Sequence, residues 1–531
     1  MYDAASPTME PAVLTAGIPV LGICYGQQLI THLLGGDVRK GDKGEFGLAL
    51  LDLTGENSQL LRGVKDHQQV WMSHRDKVVS PPPGFRVVAT TSTCDTGAIE
   101  DSARRLYAVQ FHPEVVHTTE GMQVLRNFLF DICGCEKDWN AGQRIALIQD
   151  LIREKTGDRS IFFFVSGGVD STVAFMLCLD ALGSERVRGV YVDTGLMREG
   201  ETQFVRETFA GLGMVQVEDC SEEFLGALAG VREPELKRHI IGEQFVKIQE
   251  RIIEDRGLLS GRWVLGQGTI YPDTIESGGS AKAATIKTHH NRVPGIQKLI
   301  ESGHIVEPLA DFYKDEVRAI GRELGLAPQL LERHPFPGPG LAIRCLCAEE
   351  DLPVTKMPDG YLVPVRSVGV QGDSRSYAPV LAIDEFPAAA LKLQDQATEL
   401  VNRNAGVNRV IARVVTREPL AQQQVFASKM THARVELLRD ADAIVRQMSL
   451  ESGFDKEVWQ FPVILIPAGA GDARDSIVLR PVQSVDGMTA DSVTMPDALL
   501  RDMADRLMYI PEIAGVYYDL THKPPGTIEW E

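Results

Sequence analysis

The stretch Ile161-Phe162-Phe163-Phe164-Val165-Ser166-Gly167-Gly168-Val169-Asp170-Ser171-Thr172 constrains this chain more than any other. Its apolar run predicts a buried strand, the Ser-Gly-Gly that follows predicts a tight turn, and a helix is expected from about Ser171 to Leu182. A strand that turns through glycine into a helix N-terminus is an anion site, because backbone N–H groups point outward and the helix dipole favours negative charge. Ser166, Gly167, Gly168, Val169, Asp170 and Ser171 are therefore candidate phosphate-binding residues, and Asp170 is a candidate ligand for Mg2+. The lysine of G-x-x-x-x-G-K-[ST] is absent, which excludes an ordinary P-loop. A glycine-rich turn without a ligand is the plainer alternative.

At 531 residues the chain exceeds a single core and predicts about three domains. A net charge of −19 argues against general affinity for nucleic acid or membrane, so phosphates would be held by local basic residues. No apolar run approaches a membrane span, and Met1–Thr15 has no signal-peptide pattern. The eight cysteines show no disulfide-framework spacing; Cys133/Cys135 and Cys345/Cys347 are C-x-C pairs rather than C-x-x-C zinc or redox signals. Reduced thiols in a cytoplasmic protein are the expectation.

Gly17 to Gln27 reads as a strand turning into a helix that runs to about Leu34. Gly22-x-Cys24-x-Gly26 has the form of a nucleophile elbow with cysteine in place of serine, glycines on both sides permitting the turn. The helix N-terminus favours a reactive thiolate; a buried structural cysteine is the alternative. Leu106 to Glu114 reads as an alternating strand ending in His-Pro-Glu. Residues two apart face the same side, so Glu114 can orient His112 as it accepts the thiol proton. Together, G-I-C-Y-G and Q-F-H-P-E resemble the class I glutamine amidotransferases, which implies a triad of Cys24, His112 and Glu114. Trp71-Met72-Ser73-His74 also resembles that family, with His74 a structural or substrate-pocket residue rather than a base. That family normally has a further strand and a Gly-Gly-Pro turn before this point, so the sequence reads as truncated or mis-started. With Tyr25 N–H left as one oxyanion donor and the other missing, glutaminase activity is expected to fall roughly a hundredfold to a thousandfold.

The next segment opens with an amphipathic linker helix, Asp138 to Glu154, before the opening strand. Strands at Val187–Asp193 and Met214–Glu218 alternate with helices near Glu201–Leu212 and Glu222–Ala229, and Trp263 to Thr269 reads as a fourth strand. Such alternation predicts a parallel sheet with helices on both faces and ligands at the carboxyl ends of its strands. Asp193 suits a ribose hydroxyl or a helix cap, and both remain open. Ser277–Ala284 is small and glycine-rich and leads to Lys287, His289 and His290, a candidate lid over a triphosphate. The last segment reads as α+β. In it Pro364–Asp373 weakly echoes Pro481–Val485, a candidate repeat, and Lys523–Glu531 reads as a docked tail.

S-G-G-V-D-S, G-Q-G-T-I-Y-P-D, I-K-T-H-H-N, K-D-E-V-R at Lys314–Arg318 and R-H-P-F-P-G-P-G at Arg333–Gly340 resemble the glutamine-hydrolysing GMP synthetases over nearly the whole chain. The resemblance implies an α/β chain of three domains. These are a class I glutamine amidotransferase domain over 1–135, a doubly wound parallel-sheet ATP pyrophosphatase domain over 136–345, and an α+β XMP-binding and dimerisation domain over 346–531. It implies that ATP, with Mg2+, adenylates O2 of xanthosine 5′-monophosphate (XMP), and that ammonia from glutamine displaces AMP to give GMP. A lysine-free glycine turn suits holding pyrophosphate while the α-phosphorus is attacked. Carried over by motif, Lys287 joins the ATP site, and Arg238, Asp373, Gln460, Lys523 and Glu529 are XMP-binding positions. Residues from about Pro379 to Asp475 resemble the insert of a longer, eukaryote-like form, either monomer or homodimer. An NAD-synthetase-like amidotransferase and a nucleotide-binding scaffold without activity are the competing readings.

Overall fold

The computed structural model describes residues 6–55, 57–115, 117–137, 141–210, 214–271, 294–371, 374–384, 396–397, 399–401, 403–404, 406–484, 490–523 and 525–531. The chain divides into two compact units, Met1–Trp139 and Asn140–Glu531.

The first unit is built on a six-stranded sheet of β1 (Val20–Ile23), β2 (Asp37–Leu53), β3 (Gln68–Ser80), β4 (Arg86–Thr90), β5 (Ala98–Asp101) and β6 (Leu106–Val109), in the order β1-β6-β5-β4-β2-β3. β1 and β6 run parallel, with Val20 opposite Leu106 and Ile23 opposite Val109; the other pairings are antiparallel. The parallel pair sets the carboxyl ends of β1 and β6 side by side. Every residue of β6 is buried. Tyr107 and Val109 join one apolar cluster with Val70, Met72 and Phe111. Leu106 and Ala108 join another with Ile30 and Ile99, the period-two alternation of a strand covered on both faces. β6 ends earlier than its alternating pattern suggests, because the His112 N–H leaves the ladder and bonds the Trp71 carbonyl of β3 at 3.0 Å. Helix α1 (Tyr25–Leu33) leaves the end of β1.

The second unit opens with helix α2 (Ala141–Thr156) and a five-stranded, wholly parallel sheet. Its strands are β7 (Ser160–Phe164), β8 (Val187–Asp193), β9 (Met214–Asp219), β10 (Trp263–Gly266) and β11 (Ile305–Val306), in the order β11-β10-β7-β8-β9. The chain moves outward from β7 through β8 to β9, then returns to β10 on the other side of β7. The carboxyl end of β7 is therefore the topological switch point, where ligands of open α/β sheets bind. The phenylalanine run follows from burial on both faces. Ile161 and Phe163 pack with Val173 and Phe175 of helix α3 (Val169–Leu182), while Phe162 packs with Val190, Phe224 and Ile248.

A second, seven-stranded sheet takes strands Thr355–Met357, Gly360–Gln371, Ser374–Ile383, Arg409–Thr416, Ile513–Asp519, Asp475–Leu479 and Val463–Ile466, in that spatial order. Helices His432–Ser452 and Asp497–Met508 cover it through Leu438, Val445, Leu500 and Leu507. One apolar cluster runs from Phe162 and Val190 of the parallel sheet to Ile477 and Tyr518 of this one. Of the described residues in 379–475, the strand Arg409–Thr416 is the fourth of the seven and Val463–Ile466 forms the sheet's edge. The echo between Pro364–Asp373 and Pro481–Val485 is not a structural repeat. Among the described residues, Pro364–Gln371 lie in a twelve-residue strand, whereas Pro481–Ser484 hold only the two-residue strand Val482–Gln483 of a separate ribbon. Among the described residues no helix is long and apolar enough to cross a membrane.

Candidate functional site

In the first unit Cys24 sits in the elbow between β1 and α1 with φ 52° and ψ −104°, a conformation that L residues rarely adopt. The sequence pattern assigns the turn's permissiveness to the flanking glycines; the structure puts the positive φ on the cysteine itself. Its N–H bonds the Val109 carbonyl at 2.8 Å, which ties the elbow to β6. The thiol faces the Ser73 carbonyl at 3.8 Å, and Gln110 Nε2 approaches the sulfur at 3.7 Å. His112 Nδ1 bonds Glu114 Oε1 at 2.6 Å. His112 Nε2 is buried and has no hydrogen-bond partner among the described residues. The imidazole is raised to about 9, first by the Cys24 sulfur, against desolvation, and then by Glu114. Cysteine, histidine and carboxylate stand in the order that nucleophilic catalysis requires, with the outer ring nitrogen oriented and the inner one free to exchange a proton. His74 is buried between Glu45 and the Asp76 carbonyl, away from any role as a base for Cys24.

In the second unit Ser166–Gly168 form the turn at the end of β7. Gly167 has φ 75°, where a side chain would be strained. The Ser166 N–H donates to Ser171 Oγ at 3.2 Å and the Gly168 N–H to Ser166 Oγ at 3.3 Å, so both predicted hydroxyls shape the turn. Gly268, in the second motif, lies against the start of α3: a Cβ there would stand 2.8 Å from the Ser171 backbone nitrogen. Asp193 bonds the Gly195 N–H at 3.0 Å and the Thr202 hydroxyl at 2.6 Å, so its carboxylate closes its own loop.

Two cations at this turn escaped the residue-level reading, although both lie in motifs quoted above. Lys314 Nζ, at the first position of helix Lys314–Glu323, touches both carboxylate oxygens of Asp170 at 2.7 and 2.6 Å. Arg333 bonds the Gly167 carbonyl at 3.3 Å, pairs with Glu201 and stacks 4.4 Å over the Phe204 ring. The Walker position is empty of lysine, yet a lysine reaches the turn from 144 residues away in sequence. Lys287 and the expected lid lie outside the described residues, as does Asp373.

The remaining predicted positions gather around the C-terminal tail. Arg344 holds Glu529 with a two-point contact, Nε to Oε2 at 2.9 Å and Nη2 to Oε1 at 2.7 Å, and Gln460 Nε2 adds a third bond at 3.1 Å. Burial pushes Glu529 up, but the Arg344 guanidinium more than offsets it and holds the carboxyl below its usual range. Gln460 also bonds the Pro335 carbonyl at 3.0 Å, joining the tail to the R-H-P-F-P-G-P-G loop. Arg238 binds the Glu531 backbone carbonyl, and its neighbour Lys237 pairs with the Glu531 side chain. Trp530 is fully buried, donates from Nε1 to Asp519 at 2.8 Å and lies under Arg409. Lys523 exchanges backbone bonds with Ala490. Arg238, Gln460 and Glu529 are thus brought together, but as anchors of the tail.

Comparison with known proteins agrees along the whole chain. Residues 4–132 match the model of the family "Glutamine amidotransferase class-I", residues 142–221 that of "NAD synthase", and residues 447–530 that of "GMP synthase C terminal domain". The "Probable GMP synthase [glutamine-hydrolyzing]" of Leptospira interrogans serogroup Icterohaemorrhagiae is 42% identical over 551 aligned positions, covering 100% of this chain and 90% of that protein. The GMP synthase [glutamine-hydrolyzing] of Syntrophomonas wolfei is 39% identical, covering 100% of this chain and 89% of the relative. Among solved structures, the NMN synthetase of Francisella tularensis shares 12% identity over 39% of this chain and 79% of that one, with a TM-score of 0.30, too slight to carry an argument. On the full-length identity, with the cysteine elbow and the lysine-free phosphate turn both in place, the chain belongs to the glutamine-hydrolysing GMP synthases.

Proposed function

We propose that the chain converts XMP to GMP at the expense of ATP and glutamine, with Cys24, His112 and Glu114 as the ammonia-producing triad and Ser166–Ser171 as the pyrophosphate cradle. The observation that carries the reading is their coexistence in one chain that GMP synthases match from end to end.

At the first site the Cys24 sulfur attacks the side-chain amide carbon of glutamine. Glu114 fixes the ring through Nδ1, so His112 Nε2 is the atom that holds the thiol proton and hands it to the departing nitrogen. The carbon–nitrogen bond breaks, ammonia leaves, and water hydrolyses the resulting thioester to glutamate. At the second site the N–H groups of the turn and the N-terminus of α3 receive the β- and γ-phosphates of ATP. The α-phosphorus is attacked by XMP O2, pyrophosphate leaves, and ammonia then displaces AMP from the adenylated base. Lys314, held on Asp170, is a cation at that cradle, and Arg333 holds the turn's shape through Gly167. Lys287 joins the ATP site in this reading. Arg238, Asp373, Gln460, Lys523 and Glu529 serve the XMP site, Glu529 and Gln460 by fixing the tail that Lys523 begins.

Mg2+ fits the turn poorly as a resident ion. Asp170 gives both carboxylate oxygens to Lys314, and Mg2+ is ordinarily held by carboxylates together with substrate phosphates and water. No step here depends on an ion held by the protein. The three functional segments are 1–135, 136–345 and 346–531, acting in the cytoplasm as a monomer or homodimer.

The test is Cys24→Ala in the full chain, assayed with XMP and ATP. GMP formation from ammonium should persist and that from glutamine should vanish, with pyrophosphate and AMP as co-products. Release of phosphate and ADP would sink the reading.

A further inference from the structure

Glu45, His74 and Cys94 are used by neither reaction. Glu45 and His74 are direct partners across the antiparallel β2–β3 pair, and Cys94 comes from the turn between β4 and β5. His74 is 7% exposed and Cys94 0%. One ligand atom from each lies within 4.8 Å of the other two.

Hydrogen-bond accounting makes the trio unusual. His74 Nδ1 faces the Asp76 carbonyl at 3.0 Å, and a carbonyl only accepts, so Nδ1 carries the ring proton. Nε2 then faces Glu45 Oε2 at 3.2 Å. A nitrogen lone pair cannot rest against a carboxylate oxygen without a cation between them. The contact therefore requires either a proton shared between the ring and the carboxyl or a metal ion between them.

The surroundings suit the metal. An Nδ1–H bonded to a backbone carbonyl is the outer contact that orients metal-binding histidines. The Thr91 hydroxyl donates to Glu45 Oε1 at 3.0 Å and so orients the carboxylate with Oε2 turned to the gap. Ligands bound to tetrahedral zinc at about 2.0 Å stand about 3.3 Å apart, and the observed His74–Glu45 contact is already close to that edge. Thiolate, imidazole and carboxylate together select Zn2+ over Mg2+ or Ca2+. We propose that Glu45, His74 and Cys94 bind one Zn2+ ion, which staples β2, β3 and the turn carrying Cys94. Binding replaces the Cys94 thiol proton and the proton shared between His74 Nε2 and Glu45, and both go to solvent. The site lies one residue from Ser73, whose carbonyl faces Cys24.

The test titrates the metal-free full-length chain with Co2+ as a spectroscopic stand-in. One equivalent should bind with thiolate-to-cobalt charge-transfer absorption, Zn2+ should displace it, and binding should strengthen between about pH 6 and about pH 8 as protons are released. Cys94→Ala should abolish the band and weaken Zn2+ binding at least about tenfold, while Cys24→Ala and Cys347→Ala keep both. His74→Gln, which retains the thiol, should also lose tight binding and covers the case in which Cys94→Ala fails to fold. A band that survives Cys94→Ala, a band lost in Cys24→Ala or Cys347→Ala, or no stoichiometric binding to the wild type would overturn the proposal.

Discussion

Lys314→Met separates a structural from a chemical role at the phosphate turn. The Lys314–Asp170 pair has side chains 40% and 27% exposed, so water screens it, and such pairs stabilise by at most about 1 kcal/mol. Even that full amount would lower the melting temperature by no more than about 4 °C in a unit of this size. The chemical effect should be much larger. A positioned cation at a developing pyrophosphate acts as an oxyanion donor does, and removing one such donor costs about 2.7–4 kcal/mol, or roughly a hundredfold to a thousandfold in rate. The assay is XMP- and ammonium-dependent pyrophosphate release, run beside a glutaminase assay and a thermal melt. The expected pattern is a large fall in the first, little change in the second and a shift of a few degrees in the third. A fall of less than about tenfold would refute a phosphate role for Lys314, and a melting point lowered by more than about 10 °C would show that the pair is structural.

Two further outcomes test the other ends of the mechanism. The value of about 9 for His112 lies above the ordinary 6.5, so the stabilisation from its charge is fully present below about pH 6.5 and fades as the pH rises through about 9. Alkylation of Cys24 by a neutral reagent should therefore be slower in His112→Asn than in the parent chain, with the gap closing as the pH rises through about 9; equal rates in the two proteins at pH about 6.5 would contradict the coupling. Glu529→Ala leaves the fully buried Arg344 without its two-point partner and should cost about 3–5 kcal/mol in urea unfolding. A loss under about 1 kcal/mol would mean that Glu529 is not an anchor.

What could be read from the sequence was what sits next to its own cause. The phenylalanine strand, the turn after it and the span Val187–Asp193 are local patterns, and the β6-to-Glu114 spacing placed the His112–Glu114 contact. Lys314 and Arg333 were quoted only as letters in motifs. Their partners, Asp170 and Gly167, are far away in the chain, and no periodicity marks an ion pair of that kind. Glu529 invites a ligand-binding reading because a charged residue in a tail is normally solvated, and Arg238 invites one as a cation on the helix Pro234–Asp255. Only three-dimensional packing reveals that Arg344 holds Glu529 and that Arg238 binds the Glu531 carbonyl. The trio of Glu45, His74 and Cys94 has no spacing signature at all, since each member comes from a different segment and zinc patterns in sequence depend on close pairs.

The apolar cluster that runs unbroken from Phe162 to Tyr518 limits how this chain can be recombined. A chimera joined near residue 345 would pair half of one oil-like interior with a stranger's, and Val190, Phe224, Ile477 and Leu479 would each meet surfaces not shaped for them. Modular exchange of the ATP-activating segment onto another acceptor-binding segment is therefore costly in this lineage. Among the described residues, each apolar cluster falls within one of the two compact units, so a junction near residue 139 leaves those clusters whole. It is the point at which the ammonia-producing unit can be traded for another source of nitrogen while Asn140–Glu531 is kept whole.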